Sequence, residues 1–239
     1  MKGLLVRVGC DQTPDGGRWN APVELATGRF CYVPIPESKP NRASFERPYV
    51  EVVSGLAGFG LEVPLALRDR RMHLDPDFEQ LTYGDRGPKG KQIAGSLARG
   101  DFLAFYAGLR DTGSGALVYG LIGLIVVDRI CHAREMSPNE WHRNAHCRRE
   151  LLDSADDVVV VGQPGVSGRL SRCLVIGEYR DRAYRVTRPL LEAWGGISAN
   201  DGFLQRSAVF PKVGDGGRFM EWFGAHGVEL KSRNWESPA

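Results

Sequence analysis

The sequence predicts a single α+β domain built around a curved β-sheet with short helices. Three observations carry that expectation. Apolar runs of strand length, rich in β-branched or aromatic residues, recur, as in "GLLVRVG", "GDFLAFYAGL" and "DDVVVVG". The helical segments between them are short and are cut by Pro or Gly. Strands and helices lack the regular alternation of βαβ units, which argues against a doubly wound sheet. With 239 residues, 42% of them hydrophobic and 25% charged, the chain can bury one sizeable core. No shift in composition marks a boundary, so residues 1–239 are read as one domain with a frayed tail over 223–239.

Taken in order, "GLLVRVGCD" is a first strand that ends at Gly9 and delivers Asp11. "TPDGGRWNAP" is a loop by composition. "GRFCYVPIP" is a second strand leading into an extended segment, and prolines 40, 48 and 64 exclude long helices after it. "KQIAGSLARG" reads as a short helix stopped by Gly100. "GDFLAFYAGL" and "GALVYGLIGLIVVDRI", joined through "RDTGSG", give the strongest hairpin signal of the chain. "SPNEWHRNAHCRRELL" is helical, with Ser137 as N-cap, Pro138 as first helical residue and Glu140 completing a capping box. "DDVVVVGQP" is a buried strand and "CLVIGEY" a further short one. "RPLLEAWGG" is a short helix with a Gly stop. "RFMEWFGAHGVELKSRNWESPA" starts helical.

A net charge of +2 is too small to require a polyanionic partner. Arg is nevertheless preferred over Lys, 25 to 6, which suits phosphate recognition by the planar guanidinium fork. "MKGLLVRVGCDQT" holds only a short apolar run before Asp11, and no window supplies the ~20 apolar residues of a membrane span. Five cysteines without framework spacing fit a reducing compartment. The expectation is a cytoplasmic protein with no membrane partner.

Four constellations are candidate sites. In the hairpin, alternation places Phe102, Ala104 and Tyr106 on one face, and Tyr106 and Arg110 stand where the strand meets its loop. Tyr there can stack on a base and Arg can clamp a phosphate, against the plainer reading of a core hairpin with a surface Arg. Both are expected to border the main pocket, with Asp11 and His146 on its other walls. The stretch "HLDPDFEQLTYGD" offers His73, Asp75, Asp77, Glu79 and Asp85, with Tyr83 among them. Such oxygen donors suit Mg²⁺ or Mn²⁺, or acid–base work, and equally a solvated turn. Asp11 ends the first strand with Arg7 on the same side. Finally, "GVSGRLSR" is loop-like, so Ser167, Ser171 and Arg169 can cradle a phosphate within an Arg-rich segment, residues 166–189.

His142 and His146, four residues apart on a helix, have zinc-compatible spacing, with Cys131 nearby. There is no CxxC, and Arg143 stands where an HExxH motif needs Glu, so no metal ligand is assigned. His146 is the best general base, with Asn144 beside it as a substrate contact. The catalytic candidates are therefore Asp11, Asp75, Asp85 and His146. The substrate-binding candidates are Arg7, Tyr83, Tyr106, Arg110, Asn144, Arg169 and Ser171. The residues name no cofactor.

"GDFLAFYAGL…YGLIGLIVVD", residues 100–128, resembles the hairpin of PUA-like barrels of the EVE and ASCH groups, which implies one form the curved sheet can take and a link to RNA or modified bases. A longer resemblance runs through "LLVRVGCDQT", "GRFCYVPIPE", "HLDPDFEQLTYGD", "GDFLAFYAGL" and "NAHCRR". Together, over roughly residues 3–175, these are similar to the nucleotide modification associated domain 3 family. Where that family often has Gly-Ile-Asp, this chain has Gly9-Cys10-Asp11, which keeps the acid. The resemblance implies recognition or processing of a modified nucleotide or base, in a DNA-modification system of bacteria or phages. Its partner would be a nucleotide or a nucleic acid with modified bases. Two alternatives stay open: a non-catalytic reader of modified nucleic acid, and a metal-dependent hydrolase or transferase acting on free nucleotides. Convergence of Asp11, the acidic stretch and His146 in one cleft would favour an enzyme. A broad Arg-lined groove with those groups scattered would favour a reader.

Overall fold

Strand Leu117–His132, sixteen residues long, is the spine of the molecule in the computed structural model, which describes residues 1–150, 156–204 and 207–236. In chain order the strands are β1 (Gly3–Arg7), β2 (Pro22–Glu24), β3 (Arg29–Phe30), β4 (Ile35–Pro36), β5 (Met72–His73), β6 (Thr82–Asp85), β7 (Phe102–Asp111), β8 (Leu117–His132), β9 (Val158–Gly162), β10 (Gly168–Val175), β11 (Gly177–Arg180), β12 (Ala183–Val186) and β13 (Leu230–Lys231). The helices are α1 (Val53–Ala57), α2 (Leu65–Arg68), α3 (Gly87–Ser96), α4 (Ala145–Arg148), α5 (Arg188–Ala193) and α6 (Gly216–Ala225).

Nine of these strands make one mixed sheet among the described residues, in the order β13-β10-β8-β7-β2-β3. β1 and β2 both run parallel to β7, at its two ends. β9 takes the far half of β8, and β6 pairs with β9. β8 therefore shares one edge between β10 and β9. Register shifts at Phe105/Tyr106 and at Val127/Arg129 let it bend from one half of the sheet to the other. The result is a sheet curled into a half-barrel, with short helices around it. Gly123, in the longest apolar run, permits that curl to be filled: a Cβ there would lie 2.3 Å from Phe78 Cζ, so the Phe78 ring rests directly on the strand. The predicted hairpin forms as β7 and β8, and the α+β expectation is met.

Several elements differ from expectation. The run predicted as one strand over "GRFCYVPIP" is two short ones, β3 and β4, because residues 31–34 make no ladder of their own. α3 starts at Gly87 and stops at Ser96; Gly100 lies beyond it in a turn, at φ 88°. "CLVIGEY" belongs to two strands, β10 and β11. The helix expected from Ser137 is a 3₁₀ run, Pro138–Arg143, followed by the single turn of α4. The two are broken at Asn144, which is extended (φ −139°, ψ 145°). Ser137 caps nothing there: its hydroxyl bonds the Asn139 and Glu140 side chains instead. The end of that predicted helix, Leu151 and Leu152, lies outside the described residues.

The tail is not frayed where it is described. Phe223 packs into the core, β13 pairs with β10, and Trp235 Nε1 donates to the Tyr32 carbonyl (2.7 Å). Apolar burial and a buried Asn234 account for this order; residues 237–239 lie outside the description. No helix among the described residues is long and apolar enough to cross a membrane.

Candidate active site

A cavity of about 300 Å³ opens where seven separate pieces of chain meet. The end of β1 brings Arg7, Gly9 and Asp11, and β4 runs into Glu37. β5 brings His73 and the turn after it Asp75. β6 and the start of α3 supply Tyr83, Asp85, Arg86 and Lys89, and the α4 region supplies His146 and Arg149. Tyr106 of β7 and the segment 207–211, with Phe210, complete the walls. Strand ends and helix starts gather here, as expected for a concave site.

At the floor, three side chains converge. Asp75 Oδ2 lies 3.6 Å from His146 Nε2 and 3.8 Å from His73 Nε2. The imidazole rings stand edge to face, centroids 5.1 Å apart. Each ring is anchored from behind by a carboxylate: His73 Nδ1 donates to Glu37 Oε2 (2.7 Å), and His146 Nδ1 donates to Asp157 Oδ2 (3.0 Å). A carboxylate only accepts, so each Nδ1 carries a proton and each Nε2 is the ring nitrogen turned to the cavity, a lone-pair donor whenever the ring is neutral. The 2.7 Å contact decides the His73 tautomer against the longer 3.4 Å approach of Arg149. Arg149 Nη2 instead donates to the other Glu37 oxygen (3.1 Å).

Asp75 is held just as firmly. The Gly84 N–H donates to both of its oxygens (3.0 and 2.9 Å), and Asn144 Nδ2 donates to Oδ1 (3.3 Å). The Asn144 carbonyl oxygen caps α4 by accepting the His146 N–H (2.9 Å). One fully buried amide thus fixes the spacing of Asp75 and His146. Gly84 permits the close approach: a Cβ there would sit 2.6 Å from His146 Cδ2.

Electrostatics divide the floor. Burial raises Asp75 well above the usual carboxylate range, against the opposing Gly84 N–H, and the charge of Asp85 adds to the rise. Burial lowers His73 to about 4, so its ring is neutral at pH 7. Burial also opposes ionisation of Glu37, yet its bonds to His73 and Arg149 outweigh that and hold its carboxyl low. The mouth carries cations: Arg7 pairs with Asp11 (3.4 Å) and lies over the Tyr119 ring, and Lys89 lies over Phe210.

Of the residues predicted from the sequence, Arg7, Asp11, Asp75, Tyr83, Asp85, Tyr106 and His146 line this cavity together. Asn144 stands directly behind it. Asp11 also serves its loop, accepting from the Thr13 N–H and hydroxyl. Tyr83 donates to Asp85 (2.7 Å). Arg110 is elsewhere: its guanidinium donates to the Gly115 carbonyl in the hairpin turn. Arg169 and Ser171 lie on β10, a strand and not the expected loop. Arg169 is buried against Glu236, the Arg233 and Leu170 carbonyls and the Phe30 ring. Asp77 turns away to Arg148 (2.5 Å) and Asn234 (3.0 Å). His142 and His146 share no helical face, because Asn144 breaks the helix between them.

The sequence does not single out Glu37, Asp157, Arg149 or Arg86, and it gives His73 no role of its own. His73-x-Asp75 did carry a signal, since alternate residues of an extended chain face one way. Glu37 and Asp157 carried none, for they act across the fold.

Residues 2–195 match the family described as nucleotide modification associated domain 3. No curated protein matches the chain, and no solved structure does.

Proposed function

Since the chain belongs to the nucleotide modification associated domain 3 family, we propose that this cleft is the active site of an enzyme acting on a nucleotide or on a single nucleobase. One observation carries the reading: Asp11, Asp75, Asp85 and His146, spread over 136 positions of sequence, line one cavity. A reader needs contacts to its ligand; it does not need two imidazoles and a buried carboxylate gathered at one point. Arg86 and Lys89, at the start of α3, suit a phosphate, with the positive end of the helix dipole behind them. Tyr83, Tyr106 and Phe210 give the cleft apolar wall for a base. A cavity of about 300 Å³ suits one nucleotide unit, either free or extruded from a strand.

The test is incubation with a panel of nucleoside 5′-phosphates and of oligonucleotides carrying modified bases, followed by chromatography and mass spectrometry. The expected result is chemical change of at least one member by the wild type and none by Asp75→Asn. Binding without change of any member would replace the enzyme by a reader. Binding of none would remove the nucleotide reading.

A further inference from the structure

We infer that His73 Nε2, His146 Nε2 and the Asp75 carboxylate form a binding site for one first-row divalent transition-metal ion, with its open positions facing the cavity. The inference goes beyond the nucleotide reading and rests on that reading only for what the ion would act upon. Among the described residues this is the one place where three such donor groups bring ligand atoms within 4.8 Å of one another.

The donor geometry is the first support. With both Nδ1 protons committed to Glu37 and Asp157, a neutral ring has its lone pair at Nε2, and the two Nε2 atoms lie 3.8 and 3.6 Å from the same Asp75 oxygen. Three acceptors facing one another in a buried site repel unless a positive charge stands between them. A proton is a poor candidate. At 3.6 and 3.8 Å from Asp75 Oδ2, neither ring is within hydrogen-bonding distance, so a proton on that oxygen would satisfy neither. A metal ion with ligand bonds of about 2.0–2.2 Å reaches across separations of this size.

The surroundings are the second support. Metal-bound histidines characteristically donate their other ring N–H to a carboxylate, which sets the tautomer and strengthens the donor. Here both histidines do so, to carboxylates from two distant parts of the chain. Asp75 is likewise oriented from behind by Gly84 and Asn144, which leaves its cavity side for a ligand. Arg149 is engaged with Glu37 and approaches His73 at Nδ1, the nitrogen away from Asp75.

Donor chemistry selects the ion. Two imidazoles and one carboxylate favour Zn²⁺, Fe²⁺, Co²⁺ or Mn²⁺ over Mg²⁺ and Ca²⁺, which prefer all-oxygen sites. Three protein ligands leave positions for substrate or water, as catalytic sites require. Such an ion would act as a Lewis acid on a phosphoryl or carbonyl oxygen, or lower the pKa of a bound water, beside the cationic mouth described above.

The test needs no nucleotide. The full chain is treated with chelator, desalted, and titrated with Co²⁺ while the visible d–d absorption is followed; Zn²⁺, Fe²⁺ and Mn²⁺ are then titrated by calorimetry. The expected result is one equivalent bound, with Zn²⁺ displacing Co²⁺. His73→Gln and His146→Gln should each weaken binding at least 100-fold, and Asp157→Asn and Glu37→Gln should weaken it about 10–100-fold through the orienting bond. Circular dichroism checks that each variant is folded. A folded wild type that binds none of the four ions overturns the inference, as does binding that both histidine variants retain. Should a histidine variant not fold, the wild-type stoichiometry and the two carboxylate variants decide. Failure of nucleotides to bind would leave this result standing, and failure of metal to bind would leave the nucleotide test standing.

Discussion

Residues 73–85 and residues 166–189 look like mirror images in the sequence. The first holds four carboxylates and no Lys or Arg; the second holds six Arg against two acids. The fold treats them differently. The acidic stretch is split by its own turn, so that Asp75 and Asp85 reach the cavity while Asp77 is consumed by Arg148 and Asn234. Four of the six Arg of the basic stretch take partners within the protein: Arg169 is buried against Glu236, Arg180 binds Glu178 and Asp201, Arg185 approaches Asp201, and Arg172 donates to the His226 carbonyl. The cations at the cavity come instead from β1, from the start of α3 and from residue 149. A run of like charge along the chain thus predicts a need for partners more reliably than it predicts a ligand. The site itself is assembled from residues that are solitary in sequence.

The largest break of this comparison is expected at Asp77. It is fully buried and paired with a buried Arg148, and Arg47 approaches to 3.6 Å. Asp77→Ala would leave the Arg148 charge without its carboxylate, at a cost of about 3–5 kcal/mol. Urea denaturation followed by tryptophan fluorescence measures it. A loss below about 1 kcal/mol, the range of exposed ion pairs, would mean that Asp77 is no more structural than the surface Arg pairs.

Gly84→Ala comes next. The added Cβ would meet His146 Cδ2 at 2.6 Å and Asn144 Oδ1 at 2.7 Å, and both neighbours are fixed by hydrogen bonds. Overpacking of this kind costs roughly 1–3 kcal/mol. The same clash moves His146 off Asp75, so metal affinity should fall with it. Thermal melts with and without Co²⁺ check both; a variant with wild-type stability and unchanged affinity would show that the floor is looser than its bonds imply.

Much of the architecture was legible because it is local. The hairpin of β7 and β8, the β1 strand and the short helices follow from apolar period, Gly turns and Pro placement. The tail was misread because its anchors, Asn234 and Trp235, bond residues more than 150 positions away. The capping box at Ser137 fails for a related reason: Asn144 offers a better cap two residues before His146, and its amide is also needed by Asp75. In the cavity, the carboxylates and His146 stood out by type. Their orienting partners did not, since Glu37 and Asp157 look like ordinary surface acids until the fold places them. The PUA-like detail rests on the hairpin pattern alone.

A smaller effect separates the cavity's cations from the Arg-rich segment. If Arg86 and Lys89 hold a phosphate, Arg86→Ala and Lys89→Ala should each weaken nucleotide binding by about tenfold, the scale of one charge-assisted hydrogen bond. Arg172→Ala and Arg110→Ala should leave it unchanged, because their guanidiniums serve the His226 and Gly115 carbonyls. Calorimetric titration with the nucleotide that binds wild type best distinguishes them. The reverse pattern would return the phosphate track to residues 166–189.

The smallest effect concerns Asp201, and it shows most directly that the Arg-rich segment is internally paired. Its carboxylate accepts Arg180 Nη1 (2.8 Å) and lies 3.4 Å from Arg185 Nη1, beside the β11–β12 ribbon. The hydrogen bond from Arg180 holds its pKa below the usual 3.8, against an opposing desolvation, with the charges of Arg180, Arg185 and Arg188 adding to the lowering. A carboxyl depressed in the folded state contributes stability above its unfolded value, and that contribution fades as pH falls through the folded value. Wild type should therefore exceed Asp201→Asn slightly at neutral pH, with the gap closing only below about pH 4. Because the pairs are exposed, about 0.5 M salt should shrink the gap at neutral pH, where the Debye length drops to a few Å. Asn keeps the side-chain shape and tolerates the positive φ of 47° at this position, so backbone strain does not confound the comparison. Urea midpoints of both proteins, from about pH 7 down to about pH 3 and in low and high salt, read the difference. A gap that persists unchanged at low pH and high salt would mean that Asp201 acts by shape, leaving Arg180 and Arg185 available for an anionic partner after all.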